Sequence, residues 1–310
     1  MAQEPRDDAI AFHCRVRPLS NGSVSPKGAN APGNPREIVQ SPFNYMIIVI
    51  HVALLAGLCG LVGNGTVIWL LGFRLKRNPI SVYILNLATA DFLFLSFTIV
   101  VALLLINNTG DPIELMLPVL STSYLAGMVL LMAISTERCI SALFPIWYRC
   151  HRPEHLSAIL CAVVWGLSLC LGTTRLLCIY YEDFLYRQSH LVYVVTSFLT
   201  LLVLCVSSLT LLLRVHCGSW RRQTTKLYRL ILLTVLAFLV LGLPLNVGLF
   251  INLFFPSLFD FHRYEPIFYV LSVLNSAVNP LIYFFVGRPR HQQGPMSLRD
   301  VLQSALTEDA

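Results

Sequence analysis

The chain has 310 residues, of which 56% are hydrophobic and 12% charged, with a formal net charge of +6. Soluble globular proteins carry about 25% charged residues, so a charged content this low excludes an ordinary cytosolic enzyme, a disordered chain and a nucleic-acid binder. A mean hydropathy of +0.69 makes lipid the solvent for most of the chain.

Residues 1–42 come first and are rich in Pro, Gly, Ser and Asn. They lack the apolar segment of a signal peptide, so they read as an extracellular, mostly disordered tail, with the first span serving as an uncleaved insertion signal. Crossing about 30 Å of hydrocarbon takes roughly 20 helical residues. Six charge-free runs meet that length: Phe43–Phe73, Leu115–Thr136, Leu156–Thr174, Leu191–Leu213, Leu230–Phe259 and Pro266–Gly287. A seventh, Ile80–Ile106, is interrupted only by Asp91. Lipid offers backbone groups no hydrogen-bond partner, so each run must be a helix. The expectation is an all-α membrane protein, a seven-transmembrane-helix bundle over 43–287. The connections after spans one, three and five and the C-terminal tail hold fourteen Lys and Arg, from Arg74 to Arg299. The opposite connections hold three: Arg175, Arg187 and Arg263. Basic residues mark the cytoplasmic side, which puts the N-terminus outside and the C-terminus inside.

Sequons at Asn21 and Asn107 fall on the outer side and are candidate glycosylation sites. Of nine cysteines, Cys14 and Cys178 face the oxidising side; a bridge between them is possible, and Cys178 can equally be a free thiol. Residues 288–310 form a cytoplasmic tail, basic at first. There Met296, Leu298, Val301, Leu302, Ala305 and Leu306 recur at helical spacing, which predicts a short amphipathic helix lying on the lipids of the inner leaflet.

Polar residues within the spans carry the chemistry. Asp91 lies near the bilayer midplane, where a carboxylate costs on the order of 3 kcal/mol and needs partners or a proton. Asn64, Asn275, Ser276 and Asn279 lie at similar depth. Such a set can hold a small hard cation, shift its protonation as helices move, or form a static polar knot. Pro280, within Asn279-Pro280-Leu281-Ile282-Tyr283, and Pro244, after Leu241-Gly242-Leu243, predict two bent helices. Glu137-Arg138 closes span three; the arginine either snorkels or is held by its neighbour Glu137 until a partner inserts. The three lysines (Lys27, Lys76, Lys226) leave span seven without one, which excludes a retinal Schiff base. No Ser/His/Asp set, carboxylate pair or His-metal arrangement lies in the bundle, so neither catalysis nor a cofactor is expected.

In order, Gly63-Asn64, Ala90-Asp91, Glu137-Arg138, Trp165, Pro244 and Asn279-Pro280-x-x-Tyr283 resemble a rhodopsin-like G-protein-coupled receptor. The stretch from Ala133 through Leu143-Phe-Pro-Ile-Trp-Tyr-Arg-Cys-His-Arg-Pro153, with Trp69-Leu-Leu-Gly-Phe73 and Tyr283-Phe-Phe-Val-Gly287, is similar to the Mas-related receptors. The resemblance implies a multi-pass plasma-membrane receptor that passes the signal of a peptide or small-molecule agonist to a heterotrimeric G protein, in nociception, itch or irritant sensing. It assigns Glu137, Arg138, Pro244, Asn279, Pro280 and Tyr283 to activation, and Asn64, Asp91, Asn275 and Asn279 to a sodium-like pocket. There Gly127 stands where the superfamily supplies a serine. It also implies a ligand pocket lined by Tyr124, Arg175, Asn246, Asn252, Glu265 and Tyr269, with Glu182 and Asp183 in the second outer loop. Relatives that bind cationic ligands carry acids where this chain has Thr174 and His190, which argues against a strongly cationic preference here, although Glu182, Asp183 and Glu265 can still attract a basic group. The competing readings are a transporter, which should show paired halves and more buried charge, and a receptor-like partner without signalling of its own.

Overall fold

The computed structural model describes residues 35–75, 78–107, 113–181, 183–217, 226–258, 260–288 and 297–306, all in helices or short links between them. The chain divides into two compact units, 1–47 and 48–310; of the first, only the helical residues 35–47 are described. The helices are α1 (Pro35–Trp69), α2 (Pro79–Ile106), α3 (Ile113–Leu143), α4 (Pro145–His151), α5 (Leu156–Tyr181), α6 (Asp183–Cys217), α7 (Lys226–Leu241), α8 (Leu243–Phe254), α9 (Phe261–Gly287) and α10 (Leu298–Leu306). Six of these are long and apolar enough to cross a membrane, and the bent pair α7–α8 makes a seventh span. The α1 helix ends in a π-helical turn, Leu70–Arg74, where Leu75 N donates to Leu70 O at 2.9 Å.

The packing centres on α3, which lies against α2, α5 and α6. With lipid outside, helix association relies on close fit rather than on expulsion of water, so small residues sit at contacts. Gly60 is one: a Cβ there would fall 2.5 Å from Leu95 Cδ1 and 2.8 Å from Ala277 Cβ, so α1 approaches α2 and α9 only because the position is glycine. The α2 helix starts on a capping box. Ser81 N donates to Asn78 Oδ1 and Asn78 N to Ser81 Oγ, each at 2.7 Å, with Pro79 at the first helical position.

Four features differ from the sequence expectation. The sixth span stops at Phe254, short of Phe259, because the charge-free run continues into turns. Its helix breaks by 41° between α7 and α8, at Gly242. The seventh span, by contrast, is assigned as one continuous helix through both Pro266 and Pro280. A short helix, α4, follows span three, started by Pro145. Finally, α10 forms as the spacing predicts, but its apolar face is not laid on lipid. Val301, Leu302, Ala305 and Leu306 are buried, and α10 packs on α9 and α7. Gly287 permits this, since a Cβ there would lie 2.0 Å from Val301 O, and Asn78 Nδ2 donates to Leu306 O at 3.0 Å. An apolar stripe is satisfied equally by a leaflet or by a protein core, and here the core takes it.

Candidate functional site

The polar groups of the membrane interior meet at one place. Asp91 is 5% exposed, and Asn279 Nδ2 donates to its Oδ2 at 2.7 Å. The carboxylate borders a small cavity whose wall also includes Asn275, Ser276, Asn279, Tyr124, Gly127 and Phe238. Buried polar side chains demand partners, yet Asn275 Oδ1 and Asn279 Oδ1 have none among the described residues. The wall thus sets the acid and a few polar side chains against Leu87, Met128, Leu131 and Phe238. Asn64 is not part of that wall. It is fully buried one step away and donates through Nδ2 to Gly60 O and Ser276 O, both at 3.0 Å, which ties α1 to α9.

Above this cavity the break in the sixth span is clamped. Pro244 has no N–H to continue the ladder. Gly242 O accepts from Tyr124 Oη at 3.0 Å and from Asn246 Nδ2 at 2.9 Å, and Asn246 Nδ2 also lies 2.8 Å from Tyr124 Oη. Tyr124 and Asn246 were assigned to a ligand pocket. Both are buried, and the structure joins them to each other and to the bend. Phe94 packs on Tyr124, with ring centres 5.6 Å apart, and lies 6.1 Å from Tyr269. Tyr269 shares a 2.9 Å hydrogen bond with Thr98 on α2.

At the α3 end carrying Glu137 and Arg138, both residues are buried. Glu137 does not hold Arg138. Its Oε2 accepts from Tyr83 Oη at 2.6 Å, and its Oε1 accepts from Tyr148 Oη and, at 2.9 Å, from Arg152 Nε. Arg152 also donates to Ser157 Oγ at 2.5 Å. One carboxylate thus links α2, α3, α4 and the start of α5. Burial, followed by the Glu137 carboxylate as hydrogen-bond partner, pushes the Tyr148 phenol up to about 12. The phenol stays a donor at any physiological pH. Sequence reasoning missed Tyr83, Tyr148 and Arg152. The four-residue spacing of Tyr148 and Arg152 was visible, but not that α4 exists to aim both at Glu137. On α9, Tyr283 is buried with its hydroxyl unbonded among the described residues.

The remaining expected residues are spread around the opposite end of the bundle. Asn252 and Glu265 are half-buried on α8 and α9. Arg175 on α5 is buried against Tyr193 of α6. Asn107 is exposed at the end of α2, where its Nδ2 donates to Leu103 O at 2.9 Å. Asn21, Cys14, Glu182 and Met296 lie outside the described residues, as do the side chains of Cys178 and Asp183.

Comparison with known proteins agrees with this layout. Residues 63–283 match the family model of the seven-transmembrane receptors of the rhodopsin family. The mouse Mas-related G-protein coupled receptor member A1 is 46% identical over 284 residues, covering 86% of this chain and 89% of the relative. The human Mas-related G-protein coupled receptor member X2 is 45% identical over 283 residues, covering 85% and 84%. The rat Mas-related G-protein coupled receptor member A is 42% identical over 292 residues.

Proposed function

From the premise that the chain belongs to the rhodopsin family of seven-transmembrane receptors, and within it to the Mas-related G-protein-coupled receptors, we propose how it signals. The protein is a multi-pass plasma-membrane receptor and not an enzyme. In our reading its N-terminus is extracellular and its C-terminus cytoplasmic. An agonist, peptide or small molecule, enters from the end where α5 finishes and α6 begins, and a G protein docks at the end carrying Arg138. Nociception, itch or irritant sensing is the physiological setting that fits the Mas-related branch. Lipids surround the bundle.

The observation that carries this reading is that one side chain, Tyr124, belongs both to the bend at Gly242 and to the cavity of Asp91 and Asn279. Asn279 begins the turn that leads through Pro280 to Tyr283, near the Arg138 end. An agonist that favours a different bend at Gly242 therefore disturbs the Asp91 cavity through shared atoms. It shifts populations only by its difference in affinity for the two states. Arg138, buried at rest, becomes part of the surface offered to the G protein.

The test is expression of wild type and Arg138→Ala with reporters for each G-protein class, challenged with basic peptides, amines and acids. Wild type should signal and the variant should not, at equal surface expression. Silence of surface-expressed wild type toward every reporter would favour a non-signalling receptor-like partner. The Arg138 assignment fails if the variant signals like wild type.

A further inference from the structure

Among the described residues Arg175 is an unbalanced charge. It lies near the end of α5 remote from Arg138, it is 9% exposed, and its Nε has no acceptor. Among the described residues no carboxylate pairs with it. What it does have is an aromatic face: the guanidinium carbon sits 4.7 Å from the centre of the Tyr193 ring on α6. One turn before Tyr193, His190 is half-buried, and its Nδ1 also lacks a partner.

Among the described residues, the energetics do not close with protein atoms alone. A guanidinium removed from water needs a counter-charge, because desolvation costs several kcal/mol per ion. A cation–π contact returns only a small part of that. Long basic side chains near a span's end ordinarily extend to the interface to stay hydrated; this one lies against Tyr193 and is buried. A planar, fork-shaped cation with an unused N–H matches a carboxylate in both charge and geometry.

We propose that the α5–α6 end of the bundle is an acid-recognising subsite, in which Arg175 binds the carboxylate of an amphipathic organic acid between the two helices, flanked by His190 and Tyr193. This rests on the receptor reading above, because it assigns a charge to that receptor's agonist. Ligand occupation then supplies Arg175 with an ion pair that it lacks among the described residues.

The test uses the full-length receptor purified into phosphatidylcholine nanodiscs and read by thermal unfolding, with decanoate and phenylacetate each compared with its primary amide. The acids should raise the melting temperature of wild type and the amides should not. Arg175→Gln should weaken the acid effect by about 30-fold in apparent affinity, with Arg175→Lys retaining part of it. In the absence of acid, Arg175→Gln should melt no lower than wild type, since it removes an unpaired buried charge; a purely structural arginine would give a lower value. Equal shifts by acid and amide, no Arg175-dependent shift by either acid, or a destabilised ligand-free Arg175→Gln would each overturn the proposal. A parallel nanodisc containing phosphatidylglycerol separates a free acid from a lipid headgroup. If that lipid alone protects wild type but not Arg175→Gln, and the acids add nothing, the organic-acid assignment fails. G-protein reporters run alongside keep the two readings apart. Acid binding without any reporter response counts against signalling and leaves the subsite intact, whereas a response indifferent to Arg175 does the reverse.

Discussion

Asn279 Nδ2 and Asp91 Oδ2 are 2.7 Å apart, a bond between the seventh and second spans that gives the buried carboxylate a side-chain donor. A charge-assisted bond of this kind contributes about 1.5–3 kcal/mol, and a buried acceptor left unmade loses at least as much. Asn279→Ala should therefore lower the melting temperature of the purified receptor, with a cost of about 2 kcal/mol. Asn279→Asp would bring a second acid to the cavity and should be worse than alanine.

The third-span glycine beside that carboxylate has room for a side chain. A Cβ at Gly127 would stand 3.7 Å from Asp91 Oδ1, an ordinary contact. Gly127→Ser should fold normally and place a hydroxyl oxygen on the cavity wall. Its melting temperature should rise with sodium chloride relative to choline chloride at equal ionic strength, by more than wild type's does. An identical salt response in both proteins would show that the added oxygen does not build a sodium site.

The Glu137 cluster makes a prediction about alkaline pH. The Tyr148 phenol is raised from its usual value near 10 to about 12 by burial and by the Glu137 carboxylate. The folded state therefore holds this proton more tightly than the unfolded one. That contribution to stability is complete below about pH 10 and is lost as pH rises through about 12. Tyr148→Phe should flatten the alkaline limb of the melting-temperature profile. Arg152→Ala strips the cation from the buried Glu137 and should cost about 3 kcal/mol at neutral pH.

The clamp on the bend predicts a change in resting activity. Tyr124→Phe deletes one of the two side-chain donors to Gly242 O and leaves Asn246 as the other. A bond of this kind is worth about 1 kcal/mol, or about fivefold in a two-state ratio. Basal reporter signal should rise several-fold at matched surface expression. Asn246→Leu, which removes the second donor, should act in the same direction.

At the opposite end of the chain, Leu302 is fully buried. Leu302→Ala should destabilise the receptor by about 2–4 kcal/mol if α10 packs as described. The exposed Leu298→Ala should be near neutral. Equal, small effects would place the helix on lipid instead.

The seven spans were legible because lipid leaves the backbone one solution, and a charge-free run of sufficient length declares it. Asp91, Asn275 and Asn279 were legible for a related reason: a polar group at midplane depth has few places to go. Partner choice was not legible. Glu137 and Arg138 are adjacent in sequence, but consecutive helical residues point in different directions, and Glu137 turns instead toward Tyr83, Tyr148 and Arg152. Tyr124 and Asn246 are 122 residues apart and meet only because Gly242 breaks the sixth span. The same amphipathic pattern in α10 fits a membrane surface or a protein groove, and nothing in nine residues of sequence distinguishes the two.

The placement of α10 also bears on what reaches the Arg138 end. The helix touches both α7 and α9 and is tethered to α9 by a short connection. A segment held on so short a leash experiences an effective concentration in the millimolar range, which a separate protein in the cytosol seldom attains. A helix arriving from outside to lie between α7 and α9 therefore competes with one that never leaves the neighbourhood. Its apparent affinity is divided by whatever advantage α10 holds.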